Sequence, residues 1–315
     1  MKIYHDISEL VEIKNAVVTV GTFDGIHKGH RKLISEVCCM AKAAKGESVV
    51  ITFDPHPRQV LNPTSGVKMI NTLDEKKEVF GQMCVDHLLI ISFTKKFAKT
   101  SSEDFLKKYI VEPFDLKAIV IGYDHHFGKG RKGNLDFLKN MGNKYGFEVD
   151  QVPMQEFKDV ALSSSNVREA IQKGRMQVAR SYLGYNYSIT GTVVKGNQVG
   201  RTLGFPTANI EPDNPEKLIP AYGVYASLVR YGDKVYQGMS NIGIRPTLDE
   251  HKLTIEVNIF DFDEDIYGEK ITIYFLQHTR AEKKFRDLEL LRRRLVIDKV
   301  KVKKILDGKK KGIEV

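Results

Sequence analysis

Cysteine is scarce in this chain, and long apolar runs are missing. Its 315 residues include three cysteines, Cys38, Cys39 and Cys84. No CxxC pair occurs and the number is odd, which argues against disulfides and against a cysteine-based zinc site; small buried apolar side chains are the expectation. No apolar stretch approaches the roughly 18 residues that cross a bilayer. The opening MKIYHDISEL lacks the apolar segment of a signal peptide. A cytoplasmic chain with no membrane partner is therefore expected. Acidic charge is also in short supply: 49 Lys+Arg against 40 Asp+Glu leave a formal net charge of +9. Much of that excess lies in DKVKVKKILDGKKKGIEV, which reads as a solvated helix end and tail. A protein that handles several phosphates needs a positive balance too, so charge alone does not select nucleic acid as a partner.

What is present has two textures. The first half alternates apolar strands, AVVTV (16–20), SVVITF (48–53), HLLIIS (87–92) and KAIVIG (117–122), with segments of helical period. In the first such segment Leu33, Val37, Ala41 and Ala44 form one apolar stripe. Continuous apolar strands between helices imply an α/β doubly wound, Rossmann-like parallel sheet covered on both faces. SSSNVREAIQKGRMQVARSYLG (163–184) reads as two short helices broken at Gly174. From about residue 186 short β-rich runs such as YSITGTVV, GVYASLVRYG, KLTIEVNIFDF and EKITIYFL take over, separated by turn residues. They suit a small antiparallel β-barrel, followed by a charged C-terminal helix. The domains are expected at 1–184 and 185–315.

GTFDGIHKGH (21–30) places His27 and His30 where the first long strand ends and a helix begins. In an open parallel sheet ligands bind there, and a helix N-terminus offers N–H groups and a positive dipole to an anion. Gly29 allows close backbone approach to a phosphate, and imidazoles beside a polyphosphate are expected to be cationic. HxxH alone is a weak zinc signal, and the spacings to His56, His125 and His126 match no metal pattern. Two structural histidines are the plain alternative. Gly128, Gly130 and Gly133 spell GxGxxG, but YDHHF separates them from the strand, and Asn134 stands where a Walker A lysine belongs; a basic loop is the better reading.

HKGH fits the HxGH signature of nucleotidylyltransferases. Together with TFDPHP (52–57), GYDHHFGKGRKG (122–133) and LSSSNVREAIQKG (162–174), GTFDGIHKGH resembles the first module of the bacterial bifunctional riboflavin kinase/FAD synthetase family. GRTLGFPTANI (200–210), GVYA (223–226), NIGIRPT (241–247) and DIYGEKI (265–271) resemble its riboflavin kinase module, so the similarity covers nearly the whole chain. The resemblance implies two reactions. One phosphorylates riboflavin to FMN with ATP; the other transfers AMP from ATP to FMN, giving FAD and pyrophosphate without a covalent enzyme intermediate. His27, His30 and Arg168 would then grip ATP phosphates, the arginine with its planar fork. Gly21, Phe23, Asp24, Gly29, Asp124, Ser163, Ser164 and Ser165 would complete that ATP site, although a serine run before a helix is also an ordinary N-cap.

In the second module, Pro206 biases Phe205 to extended backbone, so Thr207 and Asn209 project to one side. Their oxygens suit Mg²⁺ carrying ATP phosphates, and by resemblance Gly191, Gly204, Pro206, Thr207 and Asn209 bind ATP. In TIEVNIFDF, Ile255, Val257 and Ile259 alternate with Glu256 and Asn258, so one face feeds the core and Glu256 points the other way. The resemblance makes Glu256 the general base for the ribityl hydroxyl. Arg280 and Glu282 are implied flavin contacts. Three departures from the family pattern stand out: His125 for an aromatic residue, Asn258 for a histidine and, more mildly, Ser165 for a threonine. No tightly bound cofactor is expected beyond Mg²⁺ with the ATP. Two alternatives are an HxGH adenylyltransferase for another phosphorylated acceptor with a regulatory barrel, and a nucleic-acid-binding protein with an OB-like barrel. GFPTANI and TIEVNIF, however, have few of the basic and aromatic residues that the latter needs.

Overall fold

The computed structural model describes residues 1–157, 160–196, 198–246 and 251–308. By contact the chain divides into two units, Met1–Ser164 and Ser165–Val315.

The first unit begins with β1 (Lys2–Tyr4) and β2 (Ala16–Val20), followed by α1 (Lys28–Ala43) and β3 (Ser48–Asp54). Then come α2 (Pro57–Leu61), α3 (Leu73–Gly81), β4 (His87–Ser92), α4 (Ser102–Leu106), β5 (Leu116–Gly122), α5 (Leu135–Tyr145) and β6 (Glu148–Val152). A two-strand ribbon, β7 (Glu156–Phe157) with β8 (Val160–Ala161), follows. The six main strands lie in the order β1-β4-β3-β2-β5-β6, and every pairing is parallel. β2 to β4 run outward on one side and β5 starts afresh on the other, so the topological switch lies between β2 and β5.

The apolar strands split their side chains between two faces. Val18, Val20, Val49, Ile51, Leu89, Ile91, Ile119 and Ile121 join Phe105, Ile110 and Leu138 on one. Val17, Val50, Leu88, Ile90, Ala118 and Val120 meet Leu33, Ile34 and Val37 of α1 and Phe80 of α3 on the other. This two-sided burial is the reason these strands read as unbroken apolar runs. β1 and β6 gave no such signal: they are edge strands, and EVDQV is largely polar.

One expectation fails. Cys38 on α1 and Cys84 before β4 form a disulfide, with their Cα atoms 6.1 Å apart, and Cys39 is exposed rather than buried. Their separation of 46 residues carries no local signal; only the packing of α1 on the sheet brings them together.

The second unit opens with α6 (Ser164–Gln172, its first residue at the division) and α7 (Met176–Leu183), broken at Gly174 with φ of +67°. Then follow β9 (Ser188–Val194), α8 (Val199–Thr202), β10 (Ala208–Pro212), β11 (Gly223–Tyr231), β12 (Lys234–Pro246), β13 (His251–Ile259), β14 (Lys270–Arg280) and α9 (Leu288–Asp307). The six long strands close a barrel in the order β10-β13-β12-β11-β14-β9, all antiparallel. α9 starts at an Asp287 N-cap that accepts from Leu290 N, and buries Val302 and Leu306 against Val224, Ala226, Leu228 and Met239 on the barrel's outside. Phe260 joins that cluster, and Asn258 is buried along with Ile255, Val257 and Ile259, so β13 is covered on both faces beyond Glu256. Glu256 itself stays part-exposed between buried Ile255 and Val257, as the alternation expects. Thr247 and the lysine-rich tail from residue 309 lie outside the described residues.

Candidate active sites

In the first unit the chain leaves β2 at Val20 and turns through Gly21–Ile26 into α1. Phe23 and Ile26 hold φ at 46° and 34°, a left-handed conformation that L-residues with side chains rarely adopt. The turn is tied down from several sides. The Asp24 carboxylate accepts from Ile70 N at 2.9 Å and Asn71 N at 3.4 Å, and Ser164 Oγ donates to Asp24 O at 2.8 Å. Asp24 is buried and so anchors the loop, and Phe23, a sequence-expected ATP contact, sends its ring into the core edge-on to Phe80 and His30.

His27 is the N-cap of α1, and its Nδ1 accepts from His30 N at 3.3 Å. The two imidazoles stack with centroids 3.7 Å apart and planes 15° from parallel. A Cβ on Gly29 would sit 3.1 Å from the His27 ring, so the glycine leaves room for the stack. His30 Nδ1 is buried and, among the described residues, has no hydrogen-bond partner. Burial pushes the His27 pKa down to about 4 against the opposing pull of Asp124 and Asp24, and pushes His30 well below its ordinary value with help from His27 and Lys76. The pair is therefore neutral at pH 7 in the protein alone, contrary to the cationic expectation, since two stacked buried rings cannot both carry charge cheaply. A polyphosphate is the partner that would reverse this.

The pull of Asp124 on His27 brings the loop after β5 to the loop after β2, across the switch point. His125 lies in the same loop, 5.7 Å from the Phe127 ring, and burial lowers its pKa to about 4. The GxGxxG segment is a hairpin-like loop closed by a Phe127–Gly133 bridge and carries no strand-to-helix turn, in keeping with its rejection as a dinucleotide motif. Ser163 and Ser164 stand at the head of α6; Ser165 and Arg168 belong to the second unit by contact.

In the second unit Thr207 Oγ1 donates to Glu256 Oε2 at 3.4 Å, and Asn209 lies directly opposite Glu256 in the β10–β13 ladder. The antiparallel register alone thus gathers a hydroxyl, an amide and a carboxylate from two distant segments. Asn258, two residues beyond Glu256, donates its amide to Pro206 O at 2.6 Å and so pins the chain that carries Thr207. A cavity of about 290 Å³ opens beside these residues, lined among others by Val193, Arg201, Pro206, Thr207 and Tyr267. Gly204 takes a φ of +79° in the turn before Pro206, whereas Gly191 sits mid-strand in β9 between Pro212 and Ile271.

Arg280 is held in place: its Nε donates to Asp298 Oδ2 at 2.8 Å, and Arg294 Nε reaches Asp298 Oδ1 at 3.0 Å. Asp298 is buried, and reading the sequence missed it as the support that holds Arg280. Its only local sign is an acid inside a helix of arginines and lysines. The Glu282 carboxylate lies against Gly243 on β12. Among the described residues there is no group of three or more His, Cys, Asp or Glu that could hold a metal ion.

Comparison with known proteins gives both halves a family. The FAD synthetase family model matches residues 10–166 and the riboflavin kinase model matches residues 183–306. A bifunctional riboflavin kinase/FMN adenylyltransferase of Listeria monocytogenes is 38% identical over 87% of both chains. The protein of that name from Bacillus subtilis is 35% identical over 94% of this chain and 93% of its own. A solved structure described as a macrolide-efflux protein of Streptococcus pneumoniae is 32% identical, covers 96% of this chain and 98% of its own, and superposes with a TM-score of 0.87. Efflux is said of that protein; here, among the described residues, no helix is long and apolar enough to cross a membrane. With two family models in tandem and relatives that cover most of both chains, the chain belongs to the bifunctional riboflavin kinase/FMN adenylyltransferase family.

Proposed function

We propose that the family's two activities are divided between two independent ATP sites, FMN adenylyltransfer at the histidine pair and riboflavin phosphorylation at the Thr207–Asn209–Glu256 cluster, with the functional boundary at residues 184 and 185. The observation that carries the reading is that the chain holds two clusters of unlike chemistry. One offers stacked imidazoles at a helix head, and the other cross-strand oxygens beside a cavity.

In the barrel the terminal ribityl hydroxyl of riboflavin gives its proton to Glu256 as its oxygen attacks the γ-phosphorus of ATP. FMN forms and ADP leaves. A primary alcohol is a poor nucleophile, so a placed base contributes roughly 10²- to 10⁴-fold. Thr207 and Asn209 present hard oxygens next to a carboxylate, a donor set that fits Mg²⁺. When bound, the ion neutralises phosphate charge. Arg280, held by Asp298, and Glu282 face the flavin.

At the sheet, a phosphate oxygen of FMN attacks the α-phosphorus of a second ATP in line, and the bond to the bridging oxygen breaks to release pyrophosphate. His27 and His30 receive the triphosphate at the positive end of α1. Ser163 and Ser164, at the end of the same unit, add hydroxyls that can meet it, and Ser164 Oγ already donates to Asp24 O. No bond to the enzyme forms, so catalysis is positioning and charge neutralisation. Both steps consume ATP, which places the enzyme in the cytoplasm.

The test is separation of flavins after incubation with riboflavin, ATP and Mg²⁺. FMN and FAD are both expected. His27→Ala should stop at FMN, and Glu256→Gln should make FAD only when FMN is supplied. Loss of both activities in either folded variant would contradict the division.

A further inference from the structure

α3 carries a lysine on its buried stripe. Leu73, Lys76 and Phe80 follow at helical spacing, yet Lys76 is only 4% exposed. Lysine is seldom buried to this degree without a partner that rewards it. Its Nζ donates to Thr22 O at 2.9 Å, the carbonyl that Thr52 Oγ1 also reaches at 3.4 Å. Thr22 immediately precedes Phe23, the first left-handed residue of the turn that leads to His27 and His30. The base of that turn is therefore held by an ammonium at the shorter distance and a hydroxyl at the longer one.

We propose that Lys76 is a positioning residue for adenylyl transfer: its ammonium clamps the Thr22 carbonyl, holds the left-handed turn in place, and puts a fixed buried cation beneath the His27–His30 stack. The proposal rests on the reading of that stack as the triphosphate site. Each left-handed residue in the turn is strained and persists only when its surroundings over-determine it. Lys76, Thr52, Ser164 and the Asp24 carboxylate are those surroundings. Lys76 differs from the others in its charge. Burial lowers its pKa, while Asp24 and Asp54 hold it up, so the cation is retained beside two carboxylates. Toward His30 it acts with His27 to keep the imidazole neutral until a polyanion arrives. The groups around His27, in turn, are Asp124 and Asp24.

The test uses the full-length protein in four forms: parent, Lys76→Met, Lys76→Arg and His27→Ala. Adenylyltransferase kcat and the KM for ATP are measured with FMN supplied, and the His30 imidazole is titrated by NMR. Lys76→Met should lower kcat by about 10- to 100-fold with a smaller change in KM, the scale of a misplaced reacting group. Removal of a neighbouring cation should also move the His30 titration to higher pH, a shift that a purely steric role would not cause. Lys76→Arg keeps the charge, and should restore the His30 titration and most of kcat. If Lys76→Met does not fold, Lys76→Gln takes its place, since its amide can still donate to Thr22 O without the charge. The gain in His30 pKa is then expected together with a milder fall in kcat. FAD synthesis within about twofold of the parent in Lys76→Met, an unmoved His30 titration in the neutral variants, or Lys76→Arg no better than Lys76→Met would each overturn the proposal. His27→Ala separates the two levels: if it retains full FAD synthesis, the triphosphate reading itself fails, whatever Lys76 does.

Discussion

The sheet unit and the barrel unit build their sites by opposite means. In the first, the functional groups sit on loops and a helix head, beside Phe23 and Ile26 with φ of 46° and 34°, and His27, His30 and His125 are held neutral by burial. In the second, Asn209 and Glu256 are ladder partners on regular strands, with Thr207 one step before β10, and their approach follows from register. A loop site depends on anchors that are individually dispensable to the fold; a ladder site is as stable as the barrel. The contrast teaches that the sheet site should be sensitive to pH and to distant anchors, and the barrel site mainly to loss of its own functional groups.

The largest expected effect is on the barrel side. Glu256→Gln should reduce FMN formation by roughly 10²- to 10⁴-fold while leaving the unfolding midpoint of the barrel near that of the parent, as steady-state kinetics and denaturant titration would report. A fall in stability that matched the fall in rate would erase the contrast. Next in size is Asp298→Ala. It leaves Arg280 and Arg294 without their buried counter-charge, and each hydrogen bond to a charged partner is worth about 1.5–3 kcal/mol. Denaturant unfolding followed on the barrel's signals should show that loss, with riboflavin affinity weakened through Arg280.

The pH dependence sharpens the comparison from the sheet side. His27 and His125 have pKa values pushed down to about 4 in the fold. The unfolded chain takes up those protons first, at pH near 6.5, so folding stability is intact above that value. It declines as pH falls from about 6.5 toward 4. For buried His27 the full decline is roughly 3 kcal/mol. Denaturant unfolding at pH 7 and pH 5 should show this on the sheet unit, and His27→Gln should flatten it; equal pH sensitivity of both units would count against the contrast. The smallest effect is expected from Gly29→Ala, whose new Cβ would press on the His27 ring at 3.1 Å. A few-fold drop in FAD synthesis, on the order of 1 kcal/mol in the barrier, is the expectation, with FMN synthesis unchanged in the same flavin assay.

The sequence disclosed these features unequally, for physical reasons. β2 and β4 fall where AVVTV and HLLIIS place them because a strand buried on both faces must be apolar throughout. β1 and β6, at the edges, escape that requirement and left no trace. His27, His30, Thr207, Asn209 and Glu256 could be found because their motifs are local in sequence. Lys76, Asp298 and the Cys38–Cys84 pair could not, since each acts across the fold on a segment tens of residues away or from an ordinary charged helix. Asn258 lies between these cases. It was noticed as a departure from a family pattern, yet its grip on Pro206 required the structure.

The central claim, that two ATP sites work independently in one chain, is tested most directly by mixing two crippled proteins. His27→Ala and Glu256→Gln are each incubated with riboflavin, ATP and Mg²⁺, then combined, and the flavins are separated. The account predicts that neither variant alone yields FAD and that the mixture does, with FMN released by one protein and consumed by the other. A mixture that still yields no FAD, although each folded variant keeps its remaining partial reaction, would contradict it.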